Sequence, residues 1–173
     1  MALTEAQLQT LADDMEANTD QTVIDALAAG NNNALVAWYN GQASPDFWVF
    51  KHSVDVDEVR RSIDWSEVLD GTDGLSVRQQ WGFNTLMHNG TYDPSEANNR
   101  NGLVAIFPAS MPNTRAAMLA DATTLATYAE ALFAETASGP AGGDGSAQNK
   151  SAIAVFAGSL SLQDIRDAVA LID

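Results

Sequence analysis

The sequence predicts a mainly α protein, a single-domain helical bundle over residues 1–173 that carries a small two-stranded antiparallel β element. Three observations lead there. Apolar residues recur at helical spacing behind a series of N-cap signals. Hydrophobic residues make up 46% of the chain against 18% charged, with an alanine-rich apolar share that favours helix over disorder. Only residues 46–54 and 151–160 have the aromatic and β-branched content of strands. The richest stretch is 35–54, which holds two of the four tryptophans, Trp38 and Trp48, together with Phe47 and Phe50. Aromatic rings bury large areas, so this helix–turn–strand corner is the expected centre of the core.

In chain order, Thr4 and Gln7 form a capping box ahead of Leu8, Leu11 and Met15, which predicts a helix over 4–17. Asn18-Thr19 breaks it. Val23, Ile24 and Leu27 mark a second helix, and Gly30 with Asn31-Asn32-Asn33 ends it and caps the next. Gly41, Ser44 and Pro45 interrupt that third helix before the Trp48 strand. Asp55 to Glu58 is a further cap, followed by Val59 and Ile63, and Trp65 is expected to be buried against the core. The acids of Asp70-Gly71-Thr72-Asp73-Gly74 are spaced like the start of a calcium loop but lack its terminal glutamate.

Ser76 opens a helix with Val77, Trp81, Leu86 and Met87, ending near Gly90. Asp93-Pro94, with Glu96 completing a capping box, predicts a helix carrying Leu103, Val104, Ile106 and Phe107. Asn113 or Thr114 begins the longest predicted helix, running through Met118, Leu125, Tyr128 and Leu132 to about residue 135. Residues 136–149 are of low complexity, and a mobile Gly-rich loop is expected at 138–149. The strand around Ile153 is expected to pair antiparallel with the Trp48 strand. Ser161 and Asp164 then cap a last helix with Ile165, Val169 and Leu171. Trp38, Phe47, Trp48, Trp65 and Trp81 all read as fold residues.

Charge and residue counts narrow the function. Eight Lys and Arg stand against 23 Asp and Glu, a net charge of −15 with no basic run. Binding a phosphate backbone needs clustered cations, so direct, sequence-specific nucleic-acid binding is not expected. The acidity suits a basic protein partner or a salty medium. Without cysteine there are no disulfides, thiolate nucleophiles or zinc–thiolate sites. No apolar run approaches the roughly 18 residues of a membrane span, and the first residues do not read as a secretory signal, so a soluble protein is expected. His52 and His88 each lack a second histidine at helical spacing. Neither a phosphate-binding loop nor a G-x-S-x-G elbow is present, and no pair of acids is singled out for catalysis. No cofactor, metal or catalytic residue is therefore expected, and an enzyme is disfavoured.

Several segments resemble a family of small proteins encoded in the structural gene module of tailed-phage genomes, near capsid and head–tail joining genes. They are Ala43-Ser44-Pro45-Asp46-Phe47-Trp48-Val49-Phe50-Lys51, Asp93-Pro94-Ser95 with Asn99-Arg100, and Thr114-Arg115-Ala116-Ala117. Ala129-Glu130-Ala131-Leu132-Phe133-Ala134 and Gly158-Ser159-Leu160-Ser161-Leu162-Gln163-Asp164 follow in the same order. Thr127 and Tyr128 stand where relatives tend to be more basic. The resemblance implies a virion protein of the head–tail connector, an adaptor assembled in the host cytoplasm that forms a homo-oligomeric ring on the portal protein. Neighbouring connector and tail proteins would be its other partners. A capsid decoration or head-completion protein is the alternative, and a small acidic hydrolase a more distant one. For docking, the expected elements are the loop residues Gly139, Pro140, Gly142, Gly143, Asp144 and Gly145 and the last helix through Ile165, Val169 and Leu171.

Overall fold

In a computed structural model that describes residues 2–69, 74–135, 152–154, 156 and 158–172, the chain is mainly helical, as the apolar periodicity predicts. The expected loop at 138–149 and most of the acidic 70–74 stretch lie outside the described residues. Contacts sort the chain into two compact units, each gathered from separate stretches of sequence. Unit 1 is Met1–Phe47, Ala126–Phe133 and Val155–Asp173; unit 2 is Trp48–Leu125 and Ala134–Ala154.

Unit 1 is built from α1 (Glu5–Ala17), α2 (Gln21–Ala28), α3 (Asn32–Tyr39), α9 (Tyr128–Leu132) and α10 (Leu162–Val169). The local signals work as read. Thr4 and Gln7 close both halves of the capping box on α1. Gly30 takes a left-handed φ of +62°, which only glycine adopts cheaply, and the Asn31 side chain then accepts from the Ala34 amide to cap α3. Ser161 and Asp164 make the equivalent box on α10, which packs on α1 and α3. Leu11, Met15, Val23, Leu35, Tyr39, Ala129 and Ile165 form the core, none more than 1% exposed. Trp38 stacks on Tyr128 at 3.9 Å between ring centroids.

Unit 2 holds α4 (Val56–Arg61), α5 (Trp65–Val68), α6 (Val77–Leu86), α7 (Ala97–Ile106) and α8 (Pro112–Ala122). Its strands are β1 (Trp48–Phe50), β2 (Val54–Asp55), β3 (Thr91–Tyr92), β4 (Thr123–Leu125), β5 (Ala134–Glu135) and β6 (Ala152–Ala154). β2 and β3 form the small two-stranded antiparallel sheet. The Ile153 strand does lie beside the Trp48 strand, but parallel to it, with Phe50 opposite Ile153. It sits inside a mixed sheet of order β4-β1-β6-β5, where β4 is antiparallel to β1 and β5 antiparallel to β6. The long connection between β1 and β6 leaves either direction open, and pattern alone does not choose.

Two helix boundaries also differ from expectation. The helix expected from residue 113 to 135 is broken: α8 stops at Ala122, and Thr123 to Leu125 turn into β4 along β1. Two β-branched threonines facing an open strand edge favour pairing over another helical turn. The helix expected to start at Asp93-Pro94 begins later, at Ala97. Asp93 instead accepts from the Ser95 amide and hydroxyl at 2.9 and 2.6 Å in a turn of its own. The unit's core gathers Val54, Val56, Val59, Ile63, Phe107, Met111 and Met118, with Phe83 edge-on to Phe107 at 5.7 Å.

Candidate functional site

The C-terminal docking residues separate by burial. In unit 1, α10 turns Ile165 fully into the core and Val169 packs partly against it, while Leu171 stays 42% exposed. Asp164 anchors the helix start. Its carboxylate accepts from the Ser161 amide at 2.8 Å, the Ser161 hydroxyl at 2.6 Å and the Leu3 amide at 3.4 Å. Burial works to raise its pKa, but these hydrogen bonds outweigh it and hold the carboxyl below its ordinary value. The loop residues 139–145 lie outside the described residues.

A different surface emerges in unit 2, around α5 and α6. Trp65 is 54% exposed, Leu69 73%, Val77 81% and Trp81 74%. The expected burial of Trp65 and the reading of Trp81 as a core residue are both corrected here. Asp64 caps α5, which puts Trp65 first in a four-residue helix, while Ile63 and Val68 take the core positions around it. On α6 the core stripe runs through Phe83, Leu86 and the C-cap Met87. At about 100° per residue, Trp81 lies roughly opposite that stripe and Val77 sits one turn before it on the same outer face. That angular offset was legible in the sequence.

The neighbouring helices hold this face in place. α6 and α7 pack against each other at Gly82 and Gly102, where an added Cβ would meet Ile106 at 3.5 Å and Leu86 at 3.6 Å, ordinary van der Waals contact. The Gln79 side chain donates to the Ile106 carbonyl at 2.9 Å, while its oxygen accepts from Ser76 to cap α6. An open groove lies on one side of Trp81, lined by Thr85, His88, Asn89 and Asp93. On the other side of α6, a groove runs between Trp65, Leu69, Gln80 and Asn84. The outer face is thus an apolar ridge, Val77 and Trp81, between a groove of mixed lining and a mostly apolar one.

Three carboxylates of unit 2, Glu67, Asp64 and Asp121, are tied into the scaffold. Glu67 accepts from the Asn113 and Thr114 amides, both at 2.9 Å, and so caps α8 from α5. Asp64 is held below its usual pKa, first by the Ser66 hydroxyl and then by the Asn113 side chain. Asp121 goes the other way. Burial and then the Glu58 charge push its carboxyl up, and it receives a close hydrogen bond from the Ser62 hydroxyl. Among the described residues, no group of three or more His, Asp or Glu could hold a metal ion, and no helix is long and apolar enough to cross a membrane. No family model, curated protein or solved structure matches this chain.

Proposed function

We propose that this chain is a non-enzymatic virion protein of a tailed phage, an adaptor of the head–tail connector that docks on the portal protein and assembles there as a ring. The observation that carries the reading is the outward ridge of Val77 and Trp81 on α6, with Trp81 74% exposed opposite its helix's core stripe. Tryptophan is enriched at the centres of protein interfaces, and an exposed one on a braced helix presents a large contact area at little entropic cost. The order of segments that resemble phage structural-module proteins supports the same setting, and the net charge of −15 suits a subunit beside a DNA channel to which DNA must not stick.

The test is native mass measured on the purified chain, alone and then mixed with the portal protein of the same genome. The expected result is a defined ring on the portal, and Trp81→Ser should weaken that docking by roughly thirtyfold, the loss typical of an interface hot spot. A chain that ignores the portal but saturates empty capsids at shell copy number would replace this reading with decoration. Indifference to both, or virions in which mass spectrometry never finds the protein, would refute a structural role and return the acidic hydrolase to consideration.

A further inference from the structure

Asparagine followed by glycine occurs three times in the chain, at Asn40-Gly41, Asn89-Gly90 and Asn101-Gly102. The pair is chemically labile, because a glycine nitrogen has no neighbouring Cβ to hinder its attack on the asparagine side chain. What the fold does with each side chain and each glycine amide decides whether that attack proceeds, and the three sites differ.

At Asn40, the C-cap of α3, the side chain is held at both of its polar atoms. Nδ2 donates to the Leu160 carbonyl at 2.9 Å, and Oδ1 accepts from the Leu160 amide at 2.7 Å. The Gly41 amide is itself committed to the Trp38 carbonyl at 3.0 Å. Asn101 is exposed but lies inside α7, where each amide donates to the carbonyl four residues back, so the Gly102 nitrogen is tied into the helix. Asn89 has neither protection. It is exposed, just past the C-cap of α6 in the turn that leads to β3, and its side chain makes no hydrogen bond among the described residues. Gly90 is exposed as well, with a φ of +82° and open space where a Cβ would lie. Its amide keeps a single long bond, to the Met87 carbonyl at 3.3 Å, past the usual range for such a contact.

We infer that Asn89 is a site of spontaneous deamidation and isomerisation, left open by the fold while the two other Asn-Gly pairs are closed. This goes beyond the connector role and stands independently of it. Water is the only co-reactant. The Gly90 nitrogen loses its proton to solvent and attacks Asn89 Cγ. The Cγ–Nδ2 bond breaks, Nδ2 takes up a proton and leaves as ammonia, and a five-membered succinimide closes. Water then adds at either ring carbonyl and the C–N bond there breaks, which gives aspartate or isoaspartate. Either product puts a new negative charge in the groove beside Trp81, where Asp93 already stands. Isoaspartate also inserts a methylene into the main chain between α6 and β3. That junction is held by the Val56 amide, which donates to the Gly90 carbonyl at 3.1 Å next to the β2–β3 pair Asp55 and Thr91.

The test is peptide mapping by mass spectrometry of the full chain after prolonged incubation at physiological temperature and mildly alkaline pH, once folded and once in urea. In the folded chain, Asn89 should gain the mass of an amide-to-acid conversion at least about tenfold faster than Asn40 or Asn101, about 1.4 kcal/mol in barrier. In urea the three should convert at comparable rates, because the same dipeptide is then free at each. An isoaspartyl-specific carboxyl methyltransferase should label the peptide that contains residue 89 in aged folded protein. Asn89→Gln, whose longer side chain closes its ring far more slowly, should remove that label. An Asn89 that stays intact in the folded chain, or Asn40 or Asn101 converting as fast, overturns the inference. So does a preference for Asn89 that persists unchanged in urea, which would assign the selectivity to sequence neighbours instead of the fold.

Discussion

Replacing Tyr39 by phenylalanine isolates one buried hydrogen bond and attaches a pH signature to it. The Tyr39 ring is 1% exposed in the core of unit 1, and its hydroxyl donates to Asp14 Oδ2 at 2.7 Å. Burial, and then the hydrogen bond to Asp14 and its charge, push the phenol well above its ordinary pKa. Phenylalanine keeps the ring and its edge-on contact with Trp38, at 4.7 Å between centroids, and removes only the hydroxyl. Hydrogen bonds to charged groups contribute about 1.5–3 kcal/mol. Asp14 is half-exposed and keeps a longer bond from Asn18, so the loss should fall near the lower end, about 1.5 kcal/mol at pH 7.

The sign of the pH dependence follows from the raised pKa. The folded state keeps the phenol neutral, so its contribution is complete below the unfolded value of about 10 and is lost as pH rises past it. At pH 11 the unfolded chain gains about 1.4 kcal/mol by ionising Tyr39, and the variant has no such group. Tyr92, also raised by burial, loses its share equally in both proteins and cancels. The penalty of Tyr39→Phe should therefore shrink from about 1.5 kcal/mol at pH 7 to near zero at pH 11. Urea unfolding of both proteins at the two pH values, followed by far-UV circular dichroism, measures it. An unchanged penalty would show that the hydroxyl is neither buried nor bonded as described.

Four further outcomes are expected. Asp164→Ala removes the cap of α10 and should cost about 1–3 kcal/mol at neutral pH. Because the Asp164 pKa is depressed, its contribution is present above the unfolded value and fades as acid protonates it, so thermal melts of the two proteins should converge below about pH 4. Asp121→Asn should stabilise at neutral pH, because a raised carboxyl pKa means the folded state loses stability as that group ionises, and the gain should vanish towards pH 3. Gly30→Ala forces a side chain into a left-handed φ with no packing to gain and should cost about 1–2 kcal/mol by chemical denaturation. Phe107→Ala should cost about 3–5 kcal/mol and Trp81→Ser under about 0.5 kcal/mol, and equal losses in a denaturant series would contradict the placement of the two rings.

What the sequence made legible is what short-range chemistry decides. The boxes at Thr4/Gln7 and Ser161/Asp164 and the Gly30-Asn31 junction form from neighbours along the chain, so they can be read without knowing the fold. The break after Ala122 depends on β1, which lies more than seventy residues earlier, and no local pattern announces it. Even there one signal was available: Thr127 and Glu130 form a capping box, which marks a new helix at Tyr128 within the stretch read as continuous. The parallel direction of β6 and the exposure of Trp65 are likewise decided by distant partners. In the sequence, Arg100 stands out only as part of a segment resembling phage structural-module proteins. Its burial arises from packing over Phe50 of β1 and from hydrogen bonds to the Pro94 and Ser95 carbonyls, and a lone arginine in a polar helix start carries no sign of it.

The discontinuous make-up of unit 1 bears on how the chain is born. Leu3 and Leu11 belong to the same core as Ile165 and Ala168, and the Leu3 amide rests on Asp164. A ribosome delivers residues in order, so α1 emerges with its apolar stripe bare and must wait for about 150 further residues before α10 arrives to cover it. At about 5–20 residues per second, that interval lasts on the order of ten seconds or more. During it, α1 to α3 can cover one another only in part, and closing so long a loop is the slow, entropically expensive step of the fold. Both unit 1 and its vulnerability to premature association are therefore governed by the late synthesis of α10, whose arrival is the event that seals the core.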